Sequence, residues 1–470
     1  MTTSNSLILA ALICLYAPIS PANDIGTAST TEAALAIRID AAIAPAFRSG
    51  EPGAIVLVSQ DGQIVLRKAY GVADEATHVP LTPEMAMPIG SMTKQFTAAA
   101  VMMLVESGKL SVSAPITRYL PDYPTQGKTI TIEHLLTNSS GIPDYVSNPD
   151  WNAKKAREVS TRALIDSFSR LPIAFEPGAR YAYSSSNFVL LGAIIEKVSG
   201  VSYAKFIEQR IFIPLGMNNT AYAGFMRGTP PLAAGHTVTE RGFVRTDPIS
   251  PSQLYAAGGI VSTVDDLNRW NAAISAGKLL SAASWNKMFT PHQPKEGSSE
   301  YGYGFQIDSY WNNTKTIRHS GQIDGFDTFA MRVPDGGLYI AVLSNRDLGR
   351  TPPYQIAQKI ALAALGSGTP AVASAALDHT MFDRYVGRYR MTHVPIFVDV
   401  SRSGDKYFAA ATGQGAPFEL KALSGTRFSA EAAGAELEFN KGEDGTIDRV
   451  DMFQRPVKMT ALREPKPVPR

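Results

Sequence analysis

The clearest strand signals in this chain stand at the two ends of one long segment, with helical patterns between them. "GAIVLVSQDGQIVLRKAYG" (residues 53–71) is two β-branched-rich runs around Asp61-Gly62, a pair that tolerates positive φ and marks a hairpin. From Thr314 the β signal returns. "TKTIRHSG" and "GFDTFAMRVPDGGLYIAVLSN" read as three further strands, with Asp335-Gly336-Gly337 as a turn. Apolar periodicity places helices at 96–105, 132–136, 188–198 and 267–274. With no alternating strand–helix–strand units or internal repeat, the strands predict one antiparallel five-stranded sheet built from both ends of the segment. It is flanked by helices and carries an inserted helical region, an α+β fold.

Beyond residue 365 the composition changes. "LGSGTPAVASAALDHT" is rich in small residues and reads as a linker over 366–380. From Met381 onward, short alternating segments such as "IFVDV", "KYFAAA" and "ELEFN" are separated by turns. They predict a small antiparallel β domain over 381–470, a barrel or a sandwich, ending in a disordered "EPKPVPR". A chain of 470 residues is long enough for these two domains, the first spanning 23–365.

The N-terminus, "MTTSNSLILAALICLYAPISPAND", reads as an export signal over 1–22. Its apolar run from Leu7 to Ile19 is too short to span a bilayer comfortably, and Ser20-Pro21-Ala22 offers small residues for cleavage. The lack of Lys or Arg before that run leaves an uncleaved membrane anchor as the alternative. The expected location is the periplasm or the exterior, where association with the cell wall or a membrane surface is open to it. The single cysteine, Cys14, lies inside this segment, so covalent catalysis by the mature chain falls to oxygen or nitrogen nucleophiles.

Composition excludes several function classes. A net charge of +2 without a clustered basic run gives no footprint for nucleic acid. The seven histidines (His78, His134, His236, His292, His319, His379 and His393) show no metal-ligand spacing. No Gly-x-x-x-x-Gly-Lys, complete dinucleotide fingerprint or Gly-x-Ser-x-Gly is present. No cofactor or metal is expected, and the sequence does not give an oligomeric state.

Ser-x-x-Lys occurs five times, beginning at Ser91, Ser202, Ser275, Ser284 and Ser403. Four copies read as structure: Ser202 and Ser284 as helix caps, Ser275 at a helix end and Ser403 in a β-turn. Ser91 differs because it precedes a helix apolar nearly all round from Phe96 to Val105, of the kind that runs through a core. A lysine in its first turn is desolvated, which lowers its pKa toward neutrality. Ser91 and Lys94, at i and i+3, share a face, and the helix N-terminus offers unpaired N–H groups where an oxyanion would form. An N-cap serine with a snorkelling lysine is the structural alternative. Two other stretches bear on it: "EPGARYAYSSSNFVLLGAIIEKVSG" sets Tyr183 in a polar loop before a helix, and "TIRHSGQIDGF" sets His319-Ser320-Gly321 at a strand end.

Together these stretches resemble the serine β-lactamase and penicillin-binding superfamily, closest to the branch of class C β-lactamases, D,D-carboxypeptidases, D-amino-acid peptidases and family VIII carboxylesterases. "GSMTKQFTAAAVMMLVESGKL", "HLLTNSSGIPDY", "AAGGIVSTVDDLNRW", "YGYGF" and "HSGQIDGF" look like its members, in its order, over roughly 33–365. The trailing β domain is similar to a lipocalin-like module. The resemblance implies that Ser91 is the acylated nucleophile, Lys94 its base and Tyr183 a proton relay with a phenol pKa lowered by Lys94. It implies an oxyanion hole from the N–H groups of Ser91 and Gln322. His319, Ser320 and Gly321 form the strand motif, with His319, in place of a common lysine, binding a substrate carboxylate as a cation. Where the family has Tyr-x-Asn, this chain has Tyr183-Ser184-Ser185, and Ser185 carries one short donor in place of an amide. The expected substrate is a short peptide with a D-residue or a small ester, in preference to a β-lactam. The alternatives are a β-lactamase proper and a non-catalytic binder that has kept the fold.

Overall fold

In the computed structural model, residues 30–365 and 382–464 are described, apart from 149, 224–229, 240–241, 293, 297–298, 312–313, 348–350, 392–396, 413–416, 423–424, 431–434, 443–444 and 455–456. The export segment, Cys14, the linker at 366–380 and the tail beyond Glu464 lie outside the described residues.

Alternation along the first strand divides the main domain into two layers. In β1 (Ala54–Gln60), Ile55 and Leu57 face one hydrophobic cluster while Val56 and Val58 face another. The hairpin turns at Asp61 (φ 50°) and Gly62 (φ 83°) into β2 (Gln63–Tyr70). Both turn residues have positive φ, as the twist of a two-residue hairpin favours. The other strands come from the far end of the segment: β3 (Gln306–Trp311), β4 (Thr314–Ile323), β5 (Phe326–Val333) and β6 (Leu338–Ser344). The sheet order is β3-β4-β5-β6-β1-β2, antiparallel at each pairing. It therefore has six strands, not the expected five. The additional strand, β3, lies at the edge and pairs only with β4, so it needs no apolar alternation, and its Gln306, Asp308 and Ser309 give no strand pattern.

On one face α1 (Thr30–Ile43) packs with α6 (Pro353–Leu365), burying Ile39, Ile43, Ile356 and Ile360 against Val56 and Ile340. The other face carries the inserted helices: α2 (Thr93–Glu106), α3 (Ser185–Ser199), α4 (Pro251–Gly258) and α5 (Val264–Ser275). As its all-round apolar pattern predicts, α2 is enclosed, with Phe96, Ala98, Ala99 and Val101 fully buried. Each large apolar side chain of this kind contributes about 1.5–3 kcal/mol on removal from water. A small sheet of residues 87–88, 221–222 and 260–262 ties the segment ahead of α2 to the segment after α4.

The remaining described residues form a closed antiparallel barrel of eight strands: β7 (Gly387–Met391), β8 (Phe397–Ser403), β9 (Lys406–Ala411), β10 (Phe418–Ala422), β11 (Arg427–Ala430), β12 (Ala435–Lys441), β13 (Ile447–Gln454) and β14 (Val457–Arg463). β14 closes on β7, so no edge is left unpaired. Tyr389, Tyr407, Phe428 and Phe439 belong to its buried core.

Candidate active site

Ser91 lies in a short 3-10 turn, Gly90–Met92, that leads into α2, and Lys94 is one turn further on. Their side chains meet, with Lys94 Nζ 2.9 Å from Ser91 Oγ. Lys94 Nζ also donates to the Ala257 carbonyl at 2.8 Å. The chain around that carbonyl is stitched to α2: Thr97 Oγ1 donates to Ala256 O at 2.7 Å, and Ile260 N–H donates to Thr93 Oγ1 at 3.2 Å. Tyr255, just before it, holds φ 41° and ψ −133°, a conformation few side-chain-bearing residues adopt and one that surrounding contacts have to impose. The fold fixes the acceptor of Lys94 as firmly as Lys94 itself.

Lys94 is fully buried, and burial pulls its ammonium down to about 7, against the opposing pull of Asp144. A lysine in this setting has a lone pair available near neutral pH. The Tyr183 ring lies 5.0 Å from Lys94 Nζ, and Ser91 is among the groups that act on its phenol. The expected lowering of its phenol is not what this environment produces. The ring is 36% exposed, but the hydroxyl end is turned inward, and burial raises it above the ordinary phenol value. Lys94, itself close to neutral, supplies no fixed charge to offset that.

On the opposite wall, β4 comes up against the Ser91 turn. A Cβ on Gly321 would fall 1.9 Å from the Ile89 carbonyl oxygen. One on Gly90, where φ is 52°, would fall 3.0 Å from Gln322 N. Only glycines allow this approach, which sets the Gln322 backbone beside the serine turn. Thr328 Oγ1 secures it from behind, donating within reach of both Ile89 O and Gly321 O at 3.0 Å.

His319 lies in the same wall, its ring centroid 6.4 Å from that of Tyr183. Its Nδ1 is 2.6 Å from Ser320 O, an acceptor, so Nδ1 carries the proton and Nε2 accepts from the Tyr301 hydroxyl at 3.0 Å. Burial pulls the imidazole down to about 3, so His319 is neutral over the physiological range. This corrects the expectation of a cationic His319: a side chain 2% exposed cannot hold a charge without a carboxylate beside it. A neutral His319 offers a substrate carboxylate no cation.

Ser185 opens α3 beside Asp144, whose carboxyl its backbone helps hold down. The nearby Asn187 amide does not replace the missing asparagine. It is buried in another network, donating to Asn138 Oδ1 at 3.0 Å and accepting from Ser140 Oγ at 2.6 Å. Sequence reasoning missed Asp144, Tyr301 and the Ala257 carbonyl. Asp144 and Tyr301 stand in the motif stretches "GIPDY" and "YGYGF", but nothing in their spacing says which residue faces the serine. Asp144 is half-buried, caps the turn Tyr145–Ser147 and accepts from Val146 N–H at 3.3 Å. Burial raises its carboxyl, while Lys94 and the backbone of Val146 and Ser185 oppose that.

The other Ser-x-x-Lys copies are structural. Ser202 caps a helix by accepting from Lys205 N–H. In the copy at Ser284 the cap is Ser281, which accepts from Ser284 N–H; Ser284 itself is inside the helix. Among the described residues no cluster of three or more His, Cys, Asp or Glu could hold a metal.

Comparison with known proteins agrees with this geometry. Residues 38–365 match the family described as Beta-lactamase. The chain is 29% identical over 416 residues to penicillin-binding protein 4* of Bacillus subtilis (strain 168), spanning 83% of this chain and 90% of that one. An octameric penicillin-binding protein homologue from Pyrococcus abyssi superposes with a TM-score of 0.63 at 28% identity, over 91% of this chain and 99% of that one. A D-stereospecific amidohydrolase from a Streptomyces species superposes with a TM-score of 0.59 at 26% identity, over 72% of this chain and 99% of that one. The chain therefore belongs to the beta-lactamase family of serine hydrolases.

Proposed function

We propose that this protein hydrolyses amide or ester substrates through an acyl-enzyme on Ser91. The observation that carries this reading is the 2.9 Å contact between Ser91 Oγ and a buried Lys94 whose amine is near neutral. Neutral Lys94 takes the Ser91 proton as Oγ bonds to the substrate carbonyl carbon. The N–H groups of Ser91 and Gln322 receive the oxyanion. The proton then passes from Lys94 by way of the Tyr183 hydroxyl to the leaving amine or alkoxide, and the carbonyl re-forms. Water, deprotonated by the same groups, releases the acid and frees Ser91. Tyr183 serves as a neutral donor and acceptor, in keeping with its raised phenol.

A short substrate with a D-residue or a small ester fits better than a β-lactam. Ser185 supplies no side-chain amide, neutral His319 supplies no cation, and the similarity to a D-stereospecific amidohydrolase points the same way. Export by the segment at 1–22 is part of the proposal, supported by its apolar run and small residues. The test is labelling by a fluorescent phosphonate or penicillin probe, with a parallel turnover screen of nitrocefin, p-nitrophenyl esters, D-Ala-D-Ala peptides and D-amino-acid amides. Ser91 is expected to be the labelled residue, and Ser91→Ala to abolish labelling and turnover while leaving Tm nearly unchanged. Covalent labelling of the Ser91→Ala protein would overturn the assignment.

A further inference from the structure

One arginine of the main sheet is left without a counter-charge. Arg332 stands on β5 between Ile317 of β4 and Tyr339 of β6, so its side chain shares the face that those two present to the helical core. Its Cζ is 5.9 Å from the centre of the Phe289 ring, and Nη2 donates to Ser275 Oγ at 2.8 Å, at the end of α5. Nη1 is buried and has no partner. Among the described residues no carboxylate pairs with this guanidinium. The Tyr339 phenol, raised by burial, stays neutral, and the last turn of α5 offers only a partial negative charge. A cation taken out of water without a partner is costly, and burial here pulls the guanidinium down to about 10.

Beside Arg332 the packing leaves a small space, walled by Gln95 of α2, by Trp270, Asn271 and Ile274 of α5, and by Ile317 and Tyr339 of the sheet. No carboxylate lines it, and it has room for one water molecule or one monatomic ion. The Trp270 indole N–H is already engaged by Gln95 Oε1 at 3.1 Å, whereas Arg332 Nη1 is not engaged. Arg332 is half-buried and Ser275 exposed, so an ion can reach the guanidinium from solvent. Water in this space would satisfy a donor but bring no charge. A small anion does both at once. We propose that Arg332 and the space beside it bind one small monovalent anion, chloride in an ordinary salt solution, as the counter-ion of the guanidinium. The anion ties β5 to α5 and α2 behind the Ser91 site, and its binding does not depend on the Ser91 chemistry.

The test follows Tm of the full chain as sodium chloride replaces sodium gluconate at constant ionic strength, gluconate being too large for the space. Wild-type Tm is expected to rise along a saturating curve, by about 2 °C at ten times the midpoint concentration. Bromide should act as chloride does. Arg332→Met removes the cation and should abolish this response while Ser91 is still labelled by the phosphonate probe. A variant-free measurement stands beside it. Anomalous diffraction from a bromide-soaked wild-type crystal should place one ion beside Arg332 Nη1. That measurement decides the matter even where Arg332→Met does not fold. A wild-type Tm indifferent to the exchange of gluconate for chloride overturns the proposal. So does a full chloride response in Arg332→Met, or a water molecule without bromide signal at Nη1.

Discussion

Gly321 and Ile89 approach so closely that a Cβ on the glycine would stand 1.9 Å from the Ile89 carbonyl oxygen and 2.5 Å from Thr328 Oγ1. This contact sets the distance between β4, which carries Gln322, and the turn that carries Ser91. Both neighbouring atoms are held, one by the backbone and one by a hydroxyl bonded to two carbonyls. Gly321→Ala therefore has to move the strand away from the serine. It is expected to lower kcat/KM by about a hundredfold, the scale of losing one oxyanion donor. Overpacking should destabilise the fold by about 1–3 kcal/mol. Steady-state kinetics on an ester reporter and a denaturant melt check the two effects, and wild-type kinetics in this variant would show that the approach is not needed.

Asn187 acts through Asn138. Asn138 Oδ1 accepts from both Asn187 Nδ2 and Ser184 N–H, so one amide positions the residue next to Tyr183. Asn187→Ala removes two buried hydrogen bonds and leaves Ser140 and Asn138 short of partners. The expected cost is about 2–3 kcal/mol. Loss of order at Tyr183 should lower kcat by about tenfold with little change in KM. A change in KM alone would place Asn187 in substrate binding instead.

Much of this site is legible in the sequence because its parts act through the main chain and the helix period. The all-round apolar run after Ser91 announces a buried α2, and burial is what perturbs Lys94. The Asp61-Gly62 turn announces the first hairpin, and the glycine of His319-Ser320-Gly321 announces a close backbone approach. The edge strand β3 was not legible because an edge strand needs no apolar alternation. The sign of the Tyr183 and His319 perturbations was missed for a different reason. Each depends on how much protein surrounds one polar atom, and spacing carries no information about that. Asp144 escaped because its place beside the start of α3 comes from the fold and not from any spacing in the chain.

The barrel interior is aromatic. Phe428 is 2% exposed, with its ring centroid 4.5 Å from that of Phe382 and 5.6 Å from that of Phe439. Truncation there opens a cavity that closed, hydrogen-bonded strands cannot collapse to fill. Phe428→Ala should destabilise the barrel by about 3–5 kcal/mol. Calorimetry is expected to show one shifted transition, with the rate of Ser91 labelling unchanged in the native protein at lower temperature. A labelling rate that falls together with barrel stability would show that the acylation site depends on the barrel.

The pH dependence originates in Lys94. With Lys94 as the proposed base, the neutral amine is the active form, and its population rises as pH passes about 7. On a neutral ester, kcat/KM should therefore climb with an inflection near 7 and then level off. His319, pulled down to about 3, adds no step between pH 5 and 9, and Tyr183, raised by burial, adds no basic limb in that range. Stability has the same origin. The folded value of Lys94 lies below its ordinary 10.5, so the unfolded chain binds the proton more tightly. The resulting penalty on the folded state is fully present below pH 7, fades between 7 and 10.5, and is absent above. Lys94→Met, inactive as a hydrolase, should therefore raise Tm more at pH 6 than at pH 10, once the wild-type drift is subtracted. A rate profile flat from pH 5 to 9, or a Tm gain independent of pH, would mean that Lys94 keeps its charge in the folded protein and cannot be the base.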